Sequence, residues 1–252
     1  MNLYCTLPFG RLNHRTIEII DLANALGRTP SSVSMKLCNL ASFDPLHKAR
    51  GVKGLTGASK ADQRVWEEFH ADWEALAVES EELRQVVAAA STDALNPTRQ
   101  RTGERPAITM PMAAPTGPDE GERTARVRYS QSFFRRSVLA AYGVQCCITG
   151  NPVPQLLVAS HILPWKCFPE HRANPQNGLC LSRIHDAAFD QGLITLDEDY
   201  RLVLSRYLKD FLPNDVIARE FSAYEGGHIR LPDKFPPQVD FLTLHHAEVF
   251  VG

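Results

Sequence analysis

Residues 88–122 divide this chain, because their composition differs from that of the sequence on either side. The segment AAASTDALNPTRQRTGERPAITMPMAAPTGPDEGE is dominated by alanine, proline, threonine and glycine, and no apolar periodicity persists through it. That composition is typical of a flexible linker. We therefore predict a helical domain over residues 1–87, a linker over 88–122 and a second folded domain over 123–252.

Composition excludes several classes of protein. The 252 residues are 44% hydrophobic and 22% charged, which is ordinary for a globular chain. No apolar run approaches the roughly 20 residues that span a bilayer, and the N-terminus lacks the pattern of a secretion signal. We expect a cytoplasmic protein that does not associate with membranes. None of the six cysteines forms a C-x-x-C pair, which favours buried thiols over a structural zinc site.

Charge is unevenly distributed, although the net charge is only −2. Residues 1–60 carry eight basic and three acidic side chains, residues 61–83 are strongly acidic, and residues 122–136 are basic again. Local basic patches matter more for binding nucleic acid than the sum over the chain. The pattern therefore leaves DNA as a candidate partner.

Two predicted helices in the first domain are separated by a short turn. TIEIIDLANALG has apolar residues at helical spacing, and TPSSVSMKLCNLASF begins with Thr29 as a cap and Pro30 at the first helical position. This is the helix-turn-helix plan, whose second helix can enter the major groove of DNA. The alternative is a helical hairpin that only holds a core together. If the unit binds DNA, the contacting residues are Arg28, Ser31, Ser32 and Lys36. The stretch also resembles the N-terminal module that precedes nuclease domains in some bacterial restriction-type enzymes.

The second domain contains LLVASHILPW, followed by NPQNGLCLS and RIHDAAFDQG. His161 closes an apolar strand, Asn177 follows 16 residues later in a loop, and His185 follows 8 residues after that on a short helix. The predicted order is strand, loop, strand, helix, with QCCITG as a further strand and LITLDEDYRLVLS as a hairpin. A strand pair packed on a helix would bring His161 and His185 to one small cleft.

This segment resembles the HNH nuclease family over roughly residues 133–200, through CCITG, SHILPW, NPQNGLCL and HDAAFDQGLI. The resemblance implies an α+β fold with a ββα-metal core and a metal-dependent DNA endonuclease activity. A neutral imidazole near pH 7 can take a proton from water, which makes His161 the candidate general base. By the family pattern His185 holds the metal, and Asn177 positions the strand that carries His161. Gly178 would permit a tight turn.

Ser160 departs from the family pattern, since many members carry Asp or His immediately before the base as a second metal ligand. A hydroxyl is a weak ligand, so Ser160 and Asp190 are predicted to complete the site with water and phosphate. Asp186 is expected to point away from it. The resemblance favours Mg²⁺, with Mn²⁺, Ni²⁺ or Zn²⁺ as alternatives.

Arg135, Arg136 and Arg172 are candidate phosphate contacts, and the two arginines of FFRR are predicted to face outward. The resemblance suggests a role in restriction or defence against foreign DNA. One HNH centre cuts one strand, so a double-strand break would require a homodimer or two successive nicks. Two other readings stay open. One is a non-catalytic DNA-binding regulator with a degenerate HNH fold, which Ser160 favours, and the other is a structural zinc protein.

Overall fold

A computed structural model describes residues 1–51, 57–93 and 118–252. Its mixture of helices with two small antiparallel sheets confirms the predicted α+β class. The first half is helical: α1 (Asn2–Thr6), α2 (Ile17–Ala25), α3 (Pro30–Ala41), α4 (Pro45–Ala49), α5 (Lys60–Ala71) and α6 (Trp73–Asp93). The second half contains α7 (Pro118–Ala141), β1 (Leu157–His161), β2 (Gly178–Ser182), α8 (Arg183–Asp190), β3 (Ile194–Leu196), β4 (Leu202–Leu204), α9 (Arg206–Lys209), α10 (Asp215–Glu220) and α11 (Val239–Glu248). None of the helices in the described ranges has the length and apolar content to cross a membrane.

Helices α2 and α3 form at the two stretches that the sequence predicts, and they pack against each other. The Thr29 hydroxyl accepts a hydrogen bond from the Ser32 amide at 3.2 Å, and Pro30 occupies the first turn. Helix α5 begins with a capping box between Ser59 and Asp62. These caps satisfy amide groups that have no partner within the helix, which is why both helices begin where they do.

Helices α6 and α7 both extend into the segment that composition marks as a linker. Helix α6 continues to Asp93, and α7 begins at Pro118. The rest of the predicted linker, residues 94–117, lies outside the described residues. The proposed boundaries of the domains therefore stay a prediction.

The two halves share a hydrophobic core. Side chains of α1, α2, α3, α5 and α6 form one buried cluster, and Phe133, Ala173 and Phe235 of the second half belong to it. Arg136 forms an ion pair with Glu81, whose side chain is only 3% exposed. The prediction that Arg136 faces outward is therefore wrong, because α7 turns this guanidinium toward α6, where it neutralises a buried carboxylate.

Lys234 connects the halves at a second point. It is fully buried, and its ammonium donates hydrogen bonds to the Leu7 carbonyl at 2.7 Å and to the Tyr4 carbonyl. The Nζ atom also lies 4.7 Å from the centre of the Tyr4 ring. Carbonyls at the C-terminal end of a helix and the face of an aromatic ring both favour a cation, so these contacts offset part of the cost of burying the charge.

Lys234 should make stability depend on pH. Burial lowers the pKa of Lys234 from 10.5 to about 8, although Cys5, Asp44 and Asp233 oppose this shift. The folded state therefore binds the proton more weakly than the unfolded state, so the contribution of Lys234 to stability is least favourable below pH 8 and rises between about 8 and 10.5. We expect the free energy of unfolding of the wild type, relative to Lys234→Met, to rise by a few kcal/mol across that window. Urea denaturation of both proteins at several pH values measures it, and a constant difference would contradict it.

The second core holds the sheets. Strands β1 and β2 pair antiparallel, so that Ser160 lies opposite Leu179 and His161 opposite Gly178. The predicted hairpin is present as β3 and β4. The predicted strand at QCCITG is wrong, because the chain forms a tight turn there, with the Gly150 amide bonded to the Cys146 carbonyl at 2.8 Å and Gly150 at φ 72°. Three cysteines lie in this core, as expected of buried thiols: Cys146, Cys147 and Cys180. The expectation of a buried thiol is wrong for Cys167, which is exposed.

Candidate active site

A cavity of about 460 Å³ opens at the end of β1, between that strand, α8 and α11. Its polar lining comes from Ser160 and His161 on β1, from Asp186 and Asp190 on α8 and from His245 on α11, and the Trp165 ring also lines it. Two histidines, two carboxylates and a hydroxyl thus face one space. This is a combination that acid–base chemistry and cation binding both use.

His161 is held in one protonation form by its surroundings. Its Nε2 atom lies 3.0 Å from the carbonyl oxygen of Arg172. A carbonyl can only accept a hydrogen bond, so Nε2 carries the proton and Nδ1 keeps a lone pair. Burial lowers the pKa of His161, with the bond to Arg172 opposing the shift. The imidazole is therefore neutral near pH 7, with a basic nitrogen available to a proton donor.

Two aromatic rings pack against this imidazole. The Phe134 ring stacks on it, with ring centres 3.7 Å apart and planes 9° from parallel. The Trp165 ring meets it edge-on at 5.2 Å. Both distances are typical of aromatic pairs, whose contact restricts rotation of the rings. Neither aromatic residue was among the sites predicted from sequence.

Asn177 ties together the loop between β1 and β2. Its Oδ1 accepts from the Leu163 amide at 2.8 Å, and its Nδ2 donates to the His171 carbonyl at 3.3 Å. The side chain is buried and does not line the cavity. Asn177 thereby fixes the loop that contains Arg172, whose carbonyl accepts the hydrogen bond from His161 Nε2.

His185 does not meet His161 in this cavity, so the predicted common cleft for the two histidines is wrong. The His185 side chain is fully buried, with Nδ1 at 2.6 Å from the Ser182 hydroxyl and Nε2 at 2.7 Å from the Glu220 carbonyl. Burial also lowers the pKa of His185. Both ring nitrogens are occupied by internal hydrogen bonds, so neither is free to bind a metal. The bond to the Glu220 carbonyl joins α8 to the end of α10.

Replacing His185 should therefore affect folding more than chemistry. His185→Ala leaves a cavity and removes the partners of the Ser182 hydroxyl and the Glu220 carbonyl. We expect it to lower the free energy of unfolding by about 2–4 kcal/mol. Denaturant unfolding measures this loss, and His246→Ala, at an exposed position on α11, is the control. Unfolding at wild-type denaturant concentrations would contradict a structural role.

Asp186 and Asp190 line the cavity, which His185 does not. They are four residues apart on α8, so they share one face of that helix, and both line the cavity. The expectation that Asp186 points away from the site is wrong, because on α8 His185 faces the core and Asp186 faces the cavity. Helical spacing from Asp190 is the sequence signal that would have identified Asp186.

The electrostatics of this face fit a cation. Burial raises the pKa of Asp186, and burial together with the negative charge of Asp186 raises the pKa of Asp190. Ser160 is 2% exposed, and its Oγ has no hydrogen-bond partner of normal geometry within the described ranges. The hydroxyl lies near Asp186, where it opposes the rise in the pKa of that carboxyl. Two carboxylates whose charged forms are disfavoured by burial, beside a buried hydroxyl, are suitable ligands for a hard divalent cation.

The donor set is sparse. Among the residues that the structure describes, no three His, Cys, Asp or Glu side chains cluster closely enough to hold a metal ion together. Mg²⁺ commonly binds through one or two carboxylates and keeps several water molecules, which matches this set. A site of this kind would need water and substrate phosphate to complete it.

The predicted DNA contacts of the helical half are only partly free. Arg28 and Ser31 are exposed at the start of α3, while the Ser32 hydroxyl donates to the Thr29 carbonyl at 2.8 Å. Lys36 is bonded to Asp62 at 2.8 Å, although its side chain remains 59% exposed. Because the Asp62 side chain is only 10% exposed, a phosphate would have to take Lys36 from a largely buried carboxylate.

The predicted contacts of the second half are bonded to the protein as well. Arg135 donates to the Leu157 carbonyl at 3.0 Å from an exposed position. Arg172 donates to the Trp165 carbonyl at 2.9 Å, and its guanidinium lies 5.1 Å from the centre of the Trp165 ring. Arg136 is half-buried and paired with Glu81.

Comparison with known proteins finds a family match in the part of the chain that carries β1 and α8. A family model for HNH endonucleases matches residues 146–197, which contain β1, β2, α8 and β3. No curated protein matches the chain. Members of the family are in general nucleases that cleave DNA and use a divalent metal. Residues 146–197 belong to the HNH endonuclease family.

Proposed function

We propose that this protein is a metal-dependent DNA endonuclease in which His161 is the general base. The observation that carries the proposal is the hydrogen bond from His161 Nε2 to the Arg172 carbonyl. It leaves the Nδ1 lone pair available in a residue that lines a cavity with two carboxylates. Nδ1 would take a proton from the water that attacks a phosphodiester.

Asp186 and Asp190 would hold the metal, with the Ser160 hydroxyl beside them. When bound, a divalent cation supplies neutralisation of charge on the scissile phosphate and on the departing oxygen. The two raised carboxyl pKa values support this assignment, because a cation would compensate the charges that burial disfavours. Mg²⁺ suits oxygen ligands best, and Mn²⁺, Ni²⁺ or Zn²⁺ are substitutes to test.

The helical half would orient the DNA. Arg28, Ser31 and Lys36 lie on or beside α3 with exposed side chains, and Arg135 and Arg172 would contact phosphates nearer the cavity. Restriction or defence against foreign DNA is the role that we propose for such an enzyme, working in the cytoplasm. Cleavage of both strands would need a second copy or a second nick.

Supercoiled plasmid tests the proposal directly. We expect open circles to appear with Mg²⁺, Mn²⁺ or Ni²⁺ and to disappear when EDTA is added. The competing function is a non-catalytic DNA-binding regulator, which the sparse donor set favours. Retarded migration of DNA without cleavage under every metal would support the regulator and exclude the nuclease.

A further inference from the structure

The Phe134 ring makes the closest aromatic contact of the candidate base. It projects from α7, is 2% exposed, and stacks on the His161 imidazole with ring centres 3.7 Å apart. The hydrogen bond to the Arg172 carbonyl fixes one atom of the imidazole, Nε2. A bond at one atom leaves the ring plane free to tilt, whereas a flat stacking partner also fixes that plane.

Gly178 explains how the Phe134 ring reaches this position. It lies opposite His161 in the pairing of β1 with β2. A Cβ atom at position 178 would lie 2.9 Å from Phe134 Cζ and 2.5 Å from Val138 Cγ2. The backbone there has φ −134°, which any residue can adopt. Glycine is therefore needed for the close approach of α7, and the expectation that it serves a tight turn is wrong.

We propose that Phe134 is a positioning residue for His161, and that the missing side chain at Gly178 admits it. The Arg172 carbonyl and the Phe134 ring together orient the imidazole so that Nδ1 serves the cavity. The proposal rests on the proposed nuclease function, since the orientation matters for catalysis if His161 is the base. A misplaced base loses rate because proton transfer requires close geometry.

Phe134→Leu tests this, and the chain provides a matched control. The adjacent Phe133 is also fully buried, but it packs against Phe69 of the helical half with ring centres 5.8 Å apart. Phe133→Leu therefore makes the same chemical change in the other core. We expect Phe134→Leu to lower kcat for metal-dependent nicking by about 10- to 100-fold with little change in KM for DNA. Phe133→Leu should keep kcat near the wild-type value at a temperature where both variants are folded.

A spectroscopic readout separates positioning from activity. Nitrogen-15 NMR of the imidazoles distinguishes the two neutral tautomers, and a stacked ring shifts the His161 carbon-bound protons upfield. We expect the wild type and Phe133→Leu to show His161 protonated at Nε2 with that upfield shift. Phe134→Leu should lose the shift and show mixed tautomers. Gly178→Ala should change the proton shift and the tautomer signal in the same direction as Phe134→Leu does, because the added methyl group displaces the Phe134 ring without removing it.

The outcomes are distinguishable. If Phe134→Leu keeps kcat and the His161 signals, or loses kcat only as much as Phe133→Leu does, the ring is structural packing and the proposal fails. If the wild type does not cut DNA, the nuclease function fails first, and the NMR signals still decide whether Phe134 orients His161. Changed signals together with a selective loss of kcat would support both.

Discussion

Replacing His161 with alanine is expected to lower the rate of metal-dependent plasmid nicking by about 10²- to 10⁴-fold, the usual contribution of a general base. The substitution removes the Nδ1 lone pair that the Arg172 hydrogen bond leaves available. The measurement is the initial rate of conversion of supercoiled to open circular DNA at saturating metal. Binding of DNA should change little, because the imidazole is half-buried and carries no charge in its neutral form.

The control for His161→Ala must separate lost chemistry from lost packing. The variant also vacates the space between Phe134 and Trp165, so its thermal unfolding has to be recorded beside its activity. His246→Ala removes an exposed imidazole from the same chain and should retain the wild-type rate. Equal cleavage by wild type and His161→Ala would remove His161 from the mechanism.

Asp186→Asn is expected to raise the metal concentration that gives half-maximal nicking by at least about tenfold. The amide keeps the shape of the carboxylate but removes one of the two negative charges that face the cavity. It should also lower the rate at saturating metal, since a displaced cation stabilises the reacting phosphate less well. Titration of Mg²⁺ or Mn²⁺ in the nicking assay measures both effects.

Asp199→Asn makes the same change at an exposed carboxylate in the turn between β3 and β4, and its metal titration should match the wild type. Comparison with His185→Ala is the sharper test. Our proposal assigns the metal to the aspartates, so His185→Ala should lower stability and leave the metal requirement of the folded fraction unchanged. A shift in metal requirement for His185→Ala but not for Asp186→Asn would reverse the assignment.

Local signals in the sequence determined much of this protein. Apolar spacing and side-chain caps placed α2, α3 and α5, because a helix needs an apolar face and partners for its first amides. The order of strand, loop, strand and helix around His161 was also readable, since apolar strands and turn residues alternate there. The residues that resemble the HNH family coincide with the segment that the family model matches.

Tertiary structure alone decided which side chains meet. Helical periodicity fixes the angle between neighbouring residues on α8, but it does not fix which of them faces the core. His185 is bonded in the core to the Glu220 carbonyl, 35 residues away in sequence, and Asp186 therefore faces the cavity. Likewise Arg136 is basic and predicted to be exposed, yet it faces inward and pairs with the buried Glu81 of α6. Sequence determined the local elements and the candidate base, because both depend on near neighbours. Packing between distant segments decided which residues line the cavity and which form the shared core, because no local pattern shows which distant segment will cover a given face.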